Sequence, residues 1–124
     1  MQDEPKPVEL IQAVADFLRT EVAAQLSGHA AFKLRVSVNA LDLVVRQLTL
    51  AQASDAAEAA RLSQLLGVEG TLADLNRLLA ERIAKGIAGL GTPGLAEHLW
   101  QTTIEKLAVD QPNYASYRRE LGGE

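Results

Sequence analysis

Apolar residues recur at intervals of three and four along most of the chain, the period of helices rather than strands. Leu10, Ile11, Val14, Phe17, Leu18, Val22 and Leu26 form one such stripe, opened by Pro7 and closed by Gly28. Proline suits a first helical position and glycine the turn after a helix, so this stretch predicts a first helix. Leu34, Val38, Leu41, Val45 and Leu48 form a second stripe, within a helix expected from His29 to Leu50. That helix also carries Val36, Leu43 and Val44 on another side. A helix apolar on two faces is expected to be surrounded by neighbours, so we read it as the central one.

The remaining elements follow from caps and breakers. Ser54 reads as the N-cap of an Ala-rich third helix ending at Gly67. Thr71, with Asp74 three residues on, reads as the cap of a fourth, whose stripe is Leu72, Leu75, Leu79 and Ile83. Thr92-Pro93 opens a fifth, where Leu95, Leu99, Trp100, Thr103, Ile104 and Leu107 share a broad face and Asp110-Gln111-Pro112 ends it. Tyr114 to Leu121 is expected to add a short turn or helix. No period-2 alternation, hairpin signal or internal repeat competes with this reading. The expected fold class is all-α, an antiparallel helical bundle of about five helices with a central apolar second helix. Residues 1–6 are expected to be a flexible tail and residues 7–121 a single domain.

Composition narrows the function classes. The 124 residues suit one domain, and aromatics are 4% of them, so Leu, Val, Ile and Ala must fill the core. The net charge of -4 and the absence of a basic face argue against nucleic acid, Arg118-Arg119 being too short a cluster. No apolar run approaches the length needed to span a membrane, and the acidic opening residues do not read as a signal peptide. A cytoplasmic location is the expectation. The chain has no cysteine, which removes disulfides and thiolate metal sites.

Each candidate motif has a plain structural alternative. Gly89-Leu-Gly91-Thr-Pro-Gly94 matches the spacing of a dinucleotide fingerprint, but a helix precedes it where a strand is needed, and Pro93 lacks an N–H. It reads as an interhelical loop. His98 is expected on the polar, solvated side of the fifth helix with Glu97, Gln101 and Glu105, and no second histidine lies three or four residues away. No metal and no cofactor is expected. No serine stands in a nucleophile elbow, and Ser27-Gly28-His29 is a helix junction, so no catalytic residue is assigned.

Polar residues on apolar faces are more informative, because a buried polar group without a partner costs about 1–3 kcal/mol. Arg35, Asn39 and Arg46 lie on a narrow polar strip of the second helix, where Asp42 stands four residues before Arg46. Asn76 projects from the apolar side of the fourth helix, and Lys106 and Asp110 flank the apolar face of the fifth. Two readings stand: the set ties the helices into register, or Arg35, Asn39 and Arg46 line a pocket for a small anionic ligand. Tyr114, with Tyr117, either covers the open end of the bundle or anchors a protein partner.

Several stretches taken together resemble a known family. They are Arg35-Val-Ser-Val-Asn39-Ala-Leu, Leu75-Asn76 with Arg82-Ile83, and most specifically Lys106-Leu-Ala-Val-Asp110-Gln-Pro-Asn-Tyr114-Ala-Ser-Tyr117-Arg118. Nearly the whole chain resembles a bacterial domain-of-unknown-function family often encoded beside aminoglycoside-phosphotransferase-like kinases and acyl-CoA dehydrogenases. The resemblance implies no chemistry and transfers no catalytic residue. What it implies is an accessory role beside an enzyme of acyl-CoA metabolism, with a kinase-like or acyl-CoA dehydrogenase protein as partner. A two-fold homodimer is the other assembly the composition suggests.

Overall fold

In a computed structural model, which describes residues 3–122, the chain is all-α as the periodicity predicts. Five α-helices are present among the described residues, and no strand: α1 (Pro7–Phe17), α2 (Gly28–Leu66), α3 (Leu72–Ala84), α4 (Leu95–Asp110) and α5 (Ala115–Glu120). None of them is long and apolar enough to cross a membrane. The chain divides into two compact units, Met1–Ala51 and Gln52–Glu124.

The first unit is a helical hairpin. Pro7 occupies the first turn of α1, and the Lys6 backbone N–H donates to the Glu9 carboxylate at 2.7 Å. The helix the sequence carries to Leu26 does not stay α-helical. It passes into a π turn at Leu18–Val22 and a 3-10 turn at Ala23–Gln25. Arg19, on the π turn, places both of its Nη2 bonds on the Asp42 carboxylate, at 2.8 and 2.7 Å, and so ties the first limb to α2. Ala15 and Val38 are the buried residues of this unit.

The second helix departs from the sequence reading. His29–Leu50 and Ser54–Gly67 are not two helices: α2 runs unbroken for 39 residues, about 58 Å at the usual rise of 1.5 Å per residue. Ser54 is therefore an interior residue, not a cap. The reason is the surrounding Ala51-Gln-Ala-Ser-Asp-Ala-Ala-Glu-Ala-Ala60. Alanine is the best helix former and serine costs at most a few tenths of a kcal/mol beside it, about 0.5, so nothing there can stop a helix without Gly or Pro. The helix ends at Gly67, whose φ of +71° a residue with a Cβ adopts at a cost.

The second unit holds the larger buried core. Leu62 and Leu66 of α2, Leu75 and Leu79 of α3, Ala88 of the following loop and Leu95 of α4 pack as one cluster. Thr71 caps α3 as the sequence predicts: its hydroxyl accepts from the Asp74 N–H at 3.2 Å. The Asp74 carboxyl sits below its ordinary value, first through the Thr71 hydroxyl and then through the Arg77 charge. Arg82 donates to the Leu66 carbonyl oxygen at 3.3 Å and so caps the end of α2. Tyr117 of α5 is buried.

Two substitutions separate these assignments. Ser54→Ala is expected to leave stability unchanged or raise it by up to about 0.5 kcal/mol, whereas loss of a true N-cap costs about 1 kcal/mol. Leu62→Ala is expected to cost about 2–5 kcal/mol by opening a cavity in the core. Urea unfolding followed by circular dichroism reads both.

Candidate functional site

The polar centre of the second unit lies between the last third of α2 and α4. Arg61, one helical turn after the buried Glu58, reaches from α2 to α4, where Leu95, His98, Thr102, Glu105 and Val109 share one side. The Arg61 guanidinium grips Glu105 bidentately, Nη1 to Oε1 at 3.0 Å and Nη2 to Oε2 at 2.7 Å, and Nη2 also reaches the Thr102 hydroxyl at 3.4 Å. Gln101 donates to Oε1 of the same carboxylate at 3.1 Å. The paired side chains are 26% and 16% exposed, so the pair is partly desolvated and its charges largely cancel.

Electrostatics follow from this packing. Burial pushes the Glu105 carboxyl up, but the hydrogen bonds from Arg61 and Gln101 and the Arg61 charge outweigh it, and the net result is a lowered pKa. His98 is 3% exposed. Burial first and the Arg61 charge second lower its pKa below the ordinary imidazole value, with Lys106 adding to them and Glu58 and Glu105 pulling the other way. Two buried atoms of the cluster have no hydrogen-bond partner, Arg61 Nε and His98 Nδ1.

A cleft of about 560 Å³ opens beside this cluster, lined by Arg61, Gln64 and Leu65 of α2 and by Pro93, Gly94, Glu97, His98 and Gln101 at the start of α4. Gly94, at φ +82°, is the residue before α4, and no side chain caps that helix start. Gly89–Gly94 forms the interhelical loop the sequence suggests, held by the Gly89 N–H donating to the Thr92 hydroxyl at 3.0 Å.

The sequence-predicted residues are dispersed. Arg35 and Asn39 are exposed and Arg46 is half-buried, all on the α2 portion of the first unit. The enclosure expected for that stretch is not found: between Arg35 and Arg46, Val38 is the one buried residue. Asn76 does have the partner its position demanded: its amide donates to the buried Glu58 at 2.8 Å. Lys106 and Asp110 are exposed on α4, and Tyr114 is half-exposed just before α5.

The largest correction concerns His98, expected on a solvated face and found buried, while Leu99 and Trp100, expected inside, are 42% and 55% exposed. Helix α4 is rotated so that its polar row faces α2, because Arg61 gives Thr102 and Glu105 of that row a partner. The signal was present as Glu58 and Arg61 at i,i+3 opposite His98 and Glu105 at i,i+7, but it becomes legible only once α2 and α4 are known to be neighbours. Among the described residues no group of three or more His, Asp or Glu side chains is arranged to hold a metal ion.

Fold and site together define a small all-α protein with an arginine–glutamate pair at its polar centre and an open cleft beside it. The chain belongs to the family described as a domain of unknown function, DUF6285, whose model matches residues 24–114. No curated protein and no solved structure matches it.

Two outcomes test this site. Removing one partner of a buried pair strands the other, so Arg61→Ala is expected to cost about 2–3 kcal/mol, near the low end for such pairs because this one keeps some solvent. The double change Arg61→Leu with Glu105→Leu should recover most of that loss in urea unfolding. The pH dependence has a definite sign. The folded His98 binds its proton less readily than the unfolded one, so it contributes stability above pH ~6.5 that is lost as pH falls through the folded pKa. Glu105, also lowered, adds a second loss beginning below pH ~4.5. His98→Gln should abolish the first loss and keep the second, as read by thermal unfolding across pH 2–8.

Proposed function

We propose that the chain is an accessory protein that binds a partner enzyme of acyl-CoA metabolism through the apolar outer sides of its first unit. One observation carries the reading: this unit buries Ala15 and Val38 and leaves most of its large apolar side chains in solvent. Leu10, Val14 and Phe17 form a ridge on α1 at i, i+4, i+7, each 42–50% exposed. Phe32, Val36, Leu43 and Leu50 form a second along α2, 37–53% exposed and about 27 Å long at 1.5 Å per residue. Val44 and Leu48 add a third row between them.

Single exposed apolar residues are ordinary, but contiguous rows of them mark contact surfaces. A two-helix hairpin also buries too little to be an end in itself, and the pattern of anchors at i, i+4 and i+7 is how helices dock on one another. The resemblance to a family encoded beside kinase-like enzymes and acyl-CoA dehydrogenases is what points the proposal to a partner of that class. In this reading the polar strip of Arg35 and Asn39 flanks the ridge and gives the contact its orientation rather than a bound anion.

The test is reconstitution of the purified chain with the kinase-like enzyme and the acyl-CoA dehydrogenase encoded nearest to it, followed by native mass spectrometry. A complex of defined stoichiometry is expected with one of them, weakened at least tenfold by Val36→Glu or Leu43→Glu, with circular dichroism unchanged. Absence of a complex with either, or a complex indifferent to both substitutions, would overturn the proposal. So would a homodimer held by the same ridge, since it would show that a second copy covers it.

A further inference from the structure

The cleft at the start of α4 has features that the core does not require. Its wall contains His98, 97% removed from solvent with Nδ1 unpartnered, and Arg61, whose Nε is unpartnered while both terminal nitrogens are engaged. Buried polar atoms without partners are few in natural proteins and each calls for an explanation. Helix α4 begins at the same cleft; its first amide, the Leu95 N–H, donates to the Thr92 carbonyl oxygen at 3.2 Å, and no side chain caps the amides that follow. The uncapped helix start and the orphaned histidine are independent features that meet in one cavity.

Charge narrows what fits. The cleft carries Arg61 and Glu97 as its ionised side chains, and the Arg61 charge is already met by Glu105. An anion entering would find no surplus positive charge, with Glu97 at the rim and Glu58 and Glu105 behind. A cation would find Arg61 and the positive end of the α4 dipole. What is on offer is hydrogen bonding without net charge: the Arg61 Nε–H, the α4 amides after Leu95 and the Gln64 carboxamide. Leu65 and Pro93 supply an apolar wall. The volume falls within the range of small-molecule sites, about 300–1,000 Å³.

We propose that this cleft is a binding site for a small uncharged molecule that presents a carbonyl or hydroxyl oxygen to Arg61, His98 and the start of α4. The site lies in the second unit and shares no residue with the apolar ridges of the first. Either assignment can therefore fail without the other.

Three probes of one shape and different charge decide it: benzamide, benzoate and benzamidine, titrated into the isotope-labelled full chain. Binding is followed through the His98 ring signals and the Ala96 and Glu97 amides. Benzamide is expected to bind saturably, with a dissociation constant of about 1 mM or tighter for a fragment of this size. Benzoate and benzamidine should bind at least tenfold more weakly. The exposed Gln64 is replaced by tryptophan, Gln64→Trp, to plug the cleft without touching the core, and should abolish the benzamide shifts while circular dichroism stays the same. Equal or tighter binding of either charged probe would overturn the assignment. So would silence from all three, or benzamide binding that survives Gln64→Trp.

Discussion

The bidentate Arg61–Glu105 pair is the interaction on which the second unit depends. A guanidinium and a carboxylate placed singly in that position would each be a desolvated charge, and each would cost several kcal/mol on the order of the known penalties. Placed together they set the rotation of α4, because Glu105 can reach Arg61 only if the row His98–Thr102–Glu105 turns inward. That rotation draws His98 under cover and puts Leu99 and Trp100 outside. A separate polar contact, the Asn76 amide donating to the buried Glu58, ties α2 to α3. Polar contacts thus fix which faces meet, while Leu62, Leu75 and Leu95 supply most of the burial.

The first unit is organised by the opposite balance. The polar contact that joins its two limbs, Arg19 with Asp42, is largely solvent-exposed, and such a pair contributes little to stability. The Arg19 guanidinium has its pKa raised, first by the Asp42 hydrogen bonds, as expected of a pair in which both charges persist. What the hairpin has in excess is apolar surface. Where the second unit turns its polar row inward and finds partners for it, the first turns Val38 inward and leaves Val36 and Leu43 outside.

What the sequence made legible follows from how local each signal is. The Thr71 cap on α3, the Pro7 start of α1 and the Gly67 stop of α2 depend on residues within one turn, and all were readable. The identification of 89–94 as a loop followed from Pro93 lacking an N–H, also a local fact. Ser54 misled because a capping side chain is permissive: serine can begin a helix but does not compel one, and the alanines around it decided. His98 misled for a different reason. Its burial depends on meeting Arg61, 37 positions earlier, across two helices, and helical periodicity in one segment cannot report that. The polar strip on α2 was visible, but whether a strip is enclosed depends on how many helices pack around it, which composition does not say.

The two atoms left over after the pair forms, Arg61 Nε and His98 Nδ1, show what the second unit can do chemically. A guanidinium whose terminal nitrogens are committed to Glu105 no longer acts as a free charge, so attraction of an anion is weakened at the outset. Its Nε–H remains a directional donor held at a fixed angle, because the bidentate grip removes the rotations that would let it swing away. His98 is constrained in the same way from the other side: burial favours the neutral ring, which offers one donor and one acceptor rather than a charge. Such a centre discriminates by where hydrogen-bonding atoms sit, and it does so best against molecules that carry no charge to override the geometry.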